Sequence, residues 1–249
     1  MDILAIDDEQ IILDAITRVC EAYDLTVDVV SDSAIAESRM LNNDYRLILC
    51  DLMMPDKDGF QLLDHLKANK IEVPVVFMTG FSTTENAVKA LSKGAIDFIP
   101  KPFTEDEIIS SIIRGMQIKK KLGQEGTRLC PEGYFRLGIS SWMNKESDGT
   151  VSIGITKIFL ESVEKLIAVD LLHADHQVVQ GLTCAKLKCN KYTHNYIAPV
   201  SGRIVDYNTG ITENVSLVKE DPYGKGWIYR VLPAAMEHEM AYLISCKKY

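Results

Sequence analysis

Short apolar runs alternate with amphipathic segments throughout the first half of the chain. The runs at residues 3–6, 26–30, 47–50, 75–78 and 96–99 have the length and composition of buried strands. Between them, apolar residues recur at helical spacing near residues 10–23, 33–41, 59–69, 84–92 and 105–122. This alternation predicts five βα units, and therefore an α/β domain built on a doubly wound, five-stranded parallel sheet.

A polar stretch with three glycines, GMQIKKKLGQEGTR at residues 115–128, ends this pattern and indicates a frayed helix end followed by a linker. Beyond it the sequence is rich in β-forming segments such as TVSIGI, LTCAKLKC, SGRIVDY and GWIYRVL, with a short helical candidate at residues 157–165. A chain of 249 residues is long enough for two cores. We predict an α/β domain over residues 1–122, a linker over 123–132 and an all-β domain over 133–249.

Charge is distributed unevenly between the two halves. Residues 1–122 carry 13 Lys or Arg against 21 Asp or Glu, whereas residues 123–249 carry 14 of each kind. Neither half has the basic patch typical of nucleic-acid binding. The chain also lacks an apolar run of about 18 residues that would span a bilayer, and its first residues, MDILAIDDE, carry acids where a signal peptide carries bases. We expect a soluble cytoplasmic protein that binds neither nucleic acid nor membrane.

The six cysteines are scattered without a CxxC pair, which favours reduced thiols over a zinc site or a disulfide framework. Cys184 and Cys189 are five residues apart on one predicted strand, so they face opposite ways and a disulfide between them is not expected. An alternative makes Cys189 a reactive thiol whose pKa is lowered by Lys188 and Lys191. Three histidines without compact ligand spacing favour ordinary surface residues over a metal site: His173, His176 and His194.

Polar side chains follow four of the predicted parallel strands. They are Asp7 and Asp8 after the first strand, Asp51 after the third, Thr79 after the fourth and Lys101 after the fifth. In an open parallel sheet the functional crevice lies at these strand ends. Crowded carboxylates repel one another, and Mg²⁺, which prefers oxygen ligands, keeps them ionised. The pattern predicts a Mg²⁺ site at which a carboxylate accepts a phosphoryl group, assisted by an ammonium and a hydroxyl group.

Four motifs occur in order over residues 1–122: LAIDDE, DLMMPDKDG, VVFMTG and FIPKPF. In these motifs the first half resembles the receiver domain of bacterial two-component response regulators. The resemblance implies a flavodoxin-like sheet with strand order 2-1-3-4-5, and it implies that Asp51 accepts a phosphoryl group from a sensor histidine kinase. It also implies that Asp8, Asp51 and the backbone carbonyl of Met53 bind Mg²⁺ with support from Asp7, and that Lys101 contacts the phosphoryl group.

The resemblance places Thr79 and Phe98 at the family's switch positions, where a hydroxyl turns towards the phosphate and an aromatic ring follows it inward. Phosphorylation adds about −1.5 to −2 charge, which predicts a population shift rather than a catalytic cycle. The family also implies homodimerisation through the receiver. Met53 and Phe81 lie two residues after Asp51 and Thr79, and we expect these apolar side chains to shield the phosphoryl group from water.

Four segments of the second half carry another resemblance: DGTVSIGIT, HADHQVVQG, IAPVSGRIVDYN and VKEDPYGKGWIYRV. Over residues 134–232 they resemble the glycine cleavage system H protein, a member of the lipoyl-carrier family. The resemblance implies a lipoyl-type barrel-sandwich hybrid of two sheets. It also implies a lysine at the tip of a β-hairpin, to which lipoate is attached.

Lys191, eight residues before Pro199, stands at the spacing of that lysine. The family commonly has Glu three residues earlier, where this chain has Lys188, and this exchange inverts the local field that a modifying enzyme meets. Two alternatives stay open, a lipoyl group on Lys191 or an unmodified surface lysine, and the exchange favours the second.

Together these features predict a response regulator, not an enzyme, whose H-protein-like output domain binds an unknown protein target rather than DNA. One alternative is a phosphorylation-gated lipoyl carrier that uses Lys191 in redox or one-carbon metabolism. Another is a degenerate barrel retained only for protein binding. The fold alone does not distinguish among them, because function depends on the site.

Overall fold

The computed structural model describes residues 1–55, 57–80, 84–122 and 129–246. The chain forms two compact units, residues 1–83 with 93–124 and residues 84–92 with 125–249. The predicted division into domains over residues 1–122 and 133–249 with a linker over 123–132 stays a prediction. Residues 123–128 of that linker lie outside the described residues. None of the described helices combines the length and the apolar character that a membrane crossing requires.

The first unit contains a five-stranded parallel sheet with strand order β2-β1-β3-β4-β5. This confirms the predicted α/β sheet and its strand order. The elements from Ile3 to Leu122 are β1 (Ile3–Ile6), α1 (Gln10–Ala22), β2 (Val27–Val30), α2 (Ser33–Asn42), β3 (Leu47–Asp51), α3 (Gly59–Ala68), β4 (Val75–Thr79), α4 (Thr84–Ser92), β5 (Asp97–Pro100) and α5 (Glu105–Leu122).

The strands in the middle of this sheet are buried at every position, as sheets covered on both faces require. The fifth strand begins at Asp97 instead of residue 96, because the β4–β5 ladder starts where Val76 pairs with Asp97. Acidic caps fix two helix starts. Asp32 accepts hydrogen bonds from the first backbone N–H groups of α2, and Asp58 forms a capping box with Gln61 at the start of α3.

The second unit contains two antiparallel sheets, with orders β10-β13-β14-β8-β7-β6-β15 and β12-β11-β9. This two-sheet architecture confirms the predicted all-β, lipoyl-type fold. Its elements are β6 (Phe135–Leu137), β7 (Ser141–Lys145), β8 (Val151–Ile155), α6 (Lys157–Ser162), β9 (Leu166–Leu171), β10 (Gln177–Val178), β11 (Thr183–Cys189), β12 (Thr193–Ile197), β13 (Gly202–Tyr207), α7 (Gly210–Glu213), α8 (Leu217–Glu220), β14 (Tyr229–Pro233), α9 (Met236–Glu239), a 3₁₀ helix (Met240–Tyr242) and β15 (Ile244–Ser245).

Two buried aromatic side chains of this unit, Tyr229 and Trp142, satisfy their polar atoms within the core. The hydroxyl of Tyr229 donates to the carbonyl of Cys184 at 2.9 Å, and the indole N–H of Trp142 contacts the carbonyl of Ile155 at 3.0 Å. The predicted helix at residues 157–165 ends earlier, at Ser162, because the chain must extend to enter β9.

Cys130 and Cys246 form a disulfide, with Cα atoms 5.8 Å apart and a sequence separation of 116 residues. The expectation of reduced thiols is therefore wrong for this pair. The backbone N–H of Cys246 donates to the carbonyl of Tyr134, and β15 pairs with β6, so sheet pairing brings the two cysteines together. The other four cysteines form no disulfide: Cys20, Cys50 and Cys184, which are buried, and Cys189, which is half-buried.

We expect chain purified without reductant and then denatured to titrate four thiols with a thiol reagent, because two of the six cysteines are paired. Prior reduction should raise the count to six. The double variant Cys130→Ser with Cys246→Ser should give four thiols in both conditions. Six thiols in the unreduced protein would contradict the disulfide.

Candidate functional site

Three carboxylates meet at the carboxyl ends of two adjacent strands of the first unit. Asp7 follows β1 and is fully buried, Asp51 is the last residue of β3 and is 5% exposed, and Asp8 is exposed. One carboxylate oxygen from each lies within 4.8 Å of the other two. We call these three residues the acidic cluster. β1 and β3 are hydrogen-bonded neighbours in the sheet, so adjacent strand ends bring the side chains together.

The ammonium group of Lys101 lies between two members of the acidic cluster. Its Nζ is 2.8 Å from Asp7 Oδ2, 2.9 Å from Asp51 Oδ2 and 3.1 Å from Glu9 Oε1. The backbone N–H of Lys101 donates to the carbonyl of Thr79 at 2.8 Å, which holds the start of the lysine beside the end of β4. The sequence-predicted lysine therefore reaches the predicted phosphoacceptor directly.

Burial and charge have opposite effects on the protonation of this group of residues. Burial raises the pKa of Asp7 more than its contacts with Lys101 lower it. For Lys101, burial alone lowers the pKa, but the hydrogen bonds with Asp7 and Asp51 outweigh burial and raise it above its ordinary value. Lys101 therefore stays charged at neutral pH, while Asp7 binds a proton more readily than an aspartate in water.

The Asp51 carboxylate is held at both oxygens. Oδ2 contacts Lys101, and Oδ1 accepts a hydrogen bond from the backbone N–H of Met53 at 3.1 Å. Gly59 allows α3 to begin against the end of β3, since a Cβ there would stand 2.9 Å from the Asp51 carbonyl oxygen and 2.5 Å from Phe77 Cε1. The carboxylate is thus oriented before any ligand binds.

The two predicted switch residues lie on neighbouring strands. Thr79 is fully buried at the end of β4, and Phe98 is half-buried in β5, in register with Phe77. The Met53 side chain is 49% exposed at the rim of the crevice, whereas Phe81 lies outside the described residues. The switch roles and the shielding of a phosphoryl group stay predictions.

The donor set of the acidic cluster fits Mg²⁺. Octahedral ligands at about 2.0–2.1 Å from Mg²⁺ are about 2.9 Å apart when adjacent and about 4.2 Å apart when opposite. The three carboxylate oxygens, within 4.8 Å of one another, reach these separations with small side-chain movements. Ligation by the Met53 carbonyl stays a prediction.

Sequence reasoning missed Glu9, whose carboxylate adds a third acid around Lys101. Its only signal is its position directly after Asp8. The reasoning was also wrong about His194, which was expected at the surface but is 3% exposed because its strand turns it inward. The structure places His194 with Glu164 and Cys189, their donor atoms within 4.8 Å of one another, whereas His173 and His176 are exposed.

Lys191 lies in the turn that joins β11 to β12, and its side chain is exposed. The backbone N–H of Cys189 donates to the carbonyl of Tyr192 across this turn at 2.9 Å. Lys188, which was expected to invert the local field, forms an ion pair with Asp170 at 2.7 Å on the neighbouring strand β9. Its charge is therefore partly compensated.

Comparison with known proteins follows the division into two domains. Residues 3–113 match the response regulator receiver domain, and residues 135–249 match the glycine cleavage H-protein. The chain is 37% identical to the glycine cleavage system H protein of Cronobacter sakazakii over 108 residues, 43% of this chain and 83% of that protein. It is 27% identical to the transcriptional regulatory protein DltR of Streptococcus agalactiae over 172 residues, 67% of this chain and 75% of that protein.

Among solved structures, the receiver domain of NtrX from Brucella abortus aligns with a TM-score of 0.44 and 33% identity, covering 46% of this chain and 98% of that one. The parallel sheet with strand order β2-β1-β3-β4-β5 is the flavodoxin-like fold of a receiver domain. The chain belongs to the response-regulator receiver family in its first half and to the glycine cleavage H-protein family in its second.

Without divalent cation, we expect Asp7→Asn to become progressively more stable than wild type as pH rises through the interval between the unfolded pKa of an aspartate, about 4, and the raised pKa of Asp7 in the folded protein. Because burial raises the pKa of Asp7, the folded wild type binds more protons than the unfolded chain in that interval, and its free energy of unfolding falls as the proton is lost. Denaturant titrations in EDTA, followed by far-UV circular dichroism, measure this difference.

Added Mg²⁺ should stabilise wild type more than Asp7→Asn, because it compensates the negative charge of the cluster, to which Asp7 contributes one carboxylate. Circular dichroism suits the measurement because both tryptophans, Trp142 and Trp227, lie in the second unit. Parallel pH profiles of stability for the two proteins would show that the pKa of Asp7 is the same in the folded and unfolded states, and would contradict the prediction.

Proposed function

We propose that the protein is a response regulator in which Asp51 accepts a phosphoryl group from a sensor histidine kinase. The observation that supports this most directly is the Lys101 ammonium, shared between Asp51 Oδ2 and Asp7 Oδ2 at 2.9 and 2.8 Å. A cation fixed beside an oriented carboxylate suits transfer of an anionic group, since it offsets charge repulsion during the approach.

In the transfer, a carboxylate oxygen of Asp51 bonds to phosphorus while the bond from phosphorus to the kinase imidazole nitrogen breaks. The imidazole keeps the electron pair and takes a proton from solvent. The Lys101 ammonium group, which contacts the Asp51 carboxylate before transfer, then contacts a phosphoryl oxygen. The backbone N–H of Met53 keeps its hydrogen bond to Asp51. Mg²⁺ bound at the acidic cluster supplies neutralisation of the phosphoryl oxygens.

The same step switches the receiver. The phosphoryl group brings about −1.5 to −2 charge and strong acceptors to the end of β3, beside the strand end where Thr79 lies. The Thr79 hydroxyl then donates to a phosphoryl oxygen, and Phe98, half-buried at present, moves inward as the hydroxyl turns. This shift of population alters the surfaces through which the receiver contacts proteins, including a second receiver.

The output is a protein contact of the H-protein-like domain rather than DNA binding. The second half of the chain has no excess of basic residues, with 14 Lys or Arg against 14 Asp or Glu, whereas phosphate contacts dominate the affinity of DNA-binding modules. The protein target that the H-protein-like domain contacts is not identified. Neither domain requires turnover of a substrate for this role.

Full-length wild type incubated with Mg²⁺ and acetyl phosphate should gain the mass of one phosphoryl group, and Asp51→Asn should gain none, because it lacks the nucleophile. Asp64→Asn is the matched control, since that exposed aspartate of α3 pairs with Lys93 and does not belong to the acidic cluster. Intact-mass spectrometry checks all three. Equal labelling of Asp51→Asn would refute the assignment of the phosphoacceptor.

A second candidate function, a lipoyl carrier gated by the receiver, is favoured by the exposure of Lys191 at a hairpin turn. Attachment forms an amide between Lys191 Nζ and the carboxyl carbon of an activated lipoyl donor, whose activating group leaves. The ion pair of Lys188 with Asp170 weakens the electrostatic objection that the sequence raised. The carrier would serve enzymes of redox or one-carbon metabolism.

Protein purified from its native host distinguishes the two functions of the second domain. A carrier should show the added mass of a lipoyl group in wild type and lose it in Lys191→Arg, while Lys186→Arg, on the adjacent strand, should retain it. Peptide mapping locates the modification. Unmodified wild type from cells whose own glycine cleavage H protein is lipoylated would contradict the carrier and leave the phosphoacceptor role unaffected.

A further inference from the structure

Three side chains with metal-binding donors converge below the β11–β12 hairpin turn. Glu164 lies just before β9, Cys189 ends β11 and His194 is the second residue of β12. One carboxylate oxygen, one thiol sulfur and one imidazole nitrogen lie within 4.8 Å of one another. We call these residues the hairpin cluster; none of them belongs to the acidic cluster or to the mechanism proposed above.

Backbone pairing holds the three donors together. β11 is the middle strand of the three-stranded sheet, between β9 and β12, so the three strand ends lie side by side. Cys189 pairs with Leu166 of β9, and the next residue, Asn190, donates its N–H to the carbonyl of Lys165 at 3.1 Å. Lys219 fixes the segment before β9 by donating to the carbonyl of Glu164 at 2.8 Å.

The spacing of the imidazole and the carboxylate suits a shared metal ion. His194 Nε2 is 3.3 Å from Glu164 Oε2, longer than the about 2.7–2.9 Å of a charge-assisted hydrogen bond. Two ligands at about 2.0–2.1 Å from a tetrahedral zinc ion stand about 3.3 Å apart, and a thiolate sulfur stands about 3.6 Å from each of them. With all donors within 4.8 Å, the sulfur needs to move by about 1 Å at most.

Burial at the hairpin cluster is graded. The His194 side chain is 2% exposed, with Phe159 packed edge-on against its ring at 6.3 Å, so the imidazole is fixed in orientation. The Glu164 side chain is 23% exposed and Cys189 is half-buried, which leaves one side of the cluster open. An ion can therefore enter, and a fourth ligand can reach it.

We propose that Glu164, Cys189 and His194 bind one Zn²⁺ ion, with water or a donor from a partner molecule as the fourth ligand. A thiolate, an imidazole and a carboxylate form a ligand set of the kind zinc takes, whereas Mg²⁺ prefers oxygen ligands alone. Cys189 loses its thiol proton to solvent as the zinc–sulfur bond forms. The bound ion links the neighbouring ends of β9, β11 and β12. One of its ligands, Cys189, lies two residues before Lys191, at the base of the turn that carries this lysine.

Metal content of the full-length chain tests the site. After equilibration with excess Zn²⁺ in the presence of Mg²⁺ and removal of loosely bound ions, wild type should retain one zinc ion per chain, and Cys189→Ser and His194→Ala should retain none. Glu164→Gln should weaken affinity by at least about 10-fold, the lower range for loss of a supporting group at a metal site. Matched controls that should keep the ion are His176→Ala, Asp51→Asn and the double variant Cys130→Ser with Cys246→Ser.

Substitution with Co²⁺ gives a second readout. Wild type should show the visible bands of tetrahedral Co²⁺ and a thiolate-to-cobalt charge-transfer band, which Cys189→Ser lacks. Zn²⁺ should also slow the alkylation of Cys189 several-fold in wild type. In His194→Ala, Zn²⁺ should leave the alkylation rate of Cys189 unchanged. Circular dichroism of each variant identifies misfolded protein. If His194→Ala does not fold, Cys189→Ser still tests the site, because Cys189 is only half-buried and its substitution disturbs the core less.

Zinc retained equally by wild type and folded Cys189→Ser would overturn the proposal, as would wild type that holds no zinc. Alkylation of Cys189 that is fast and indifferent to Zn²⁺ would instead identify a reactive thiol beside a His194–Glu164 ion pair, and would also overturn it. None of these outcomes depends on whether Asp51 is phosphorylated.

Discussion

The ion pairs of Lys101 with Asp7 and Asp51 are the interaction on which the arrangement of the acidic cluster depends. Two buried carboxylates at 0% and 5% exposure carry a large cost in desolvation and mutual repulsion, and one ammonium within 3 Å of both offsets it. The same arrangement fixes the orientation of the Asp51 carboxylate. The interaction that offsets the cost of burying these carboxylates therefore also orients the proposed nucleophile.

Much of the receiver was predictable because parallel strands buried on both faces read as apolar runs, and their carboxyl ends meet at one edge. Asp51, Thr79 and Lys101 follow from that rule alone. Glu9 does not, because an exposed acid after two others looks like solvated charge. The raised pKa of Asp7 also has no signal in sequence, since it arises from burial that only the packed helices create.

The second domain was predictable in its fold but less so in its sites. The donors of the hairpin cluster come from three strands and are separated by 25 and 5 residues, so no local spacing reveals them. Their meeting depends on register, including the irregularity between Lys188 and Cys189 in the pairing of β11 with β9. The pairing of Cys130 with Cys246 likewise depends on β15, a two-residue strand too short to recognise in sequence.

The disulfide has a consequence for the topology of the chain. Residues 130–246 form a covalently closed ring, and within it lie both sheets of the H-protein-like domain, the hairpin with Lys191, and the hairpin cluster. A single backbone cleavage inside the ring leaves the two fragments joined, whereas a cleavage before Cys130 separates the receiver from the rest. The second domain thus keeps its parts together under proteolysis in an oxidising environment and loses this protection when the bond is reduced.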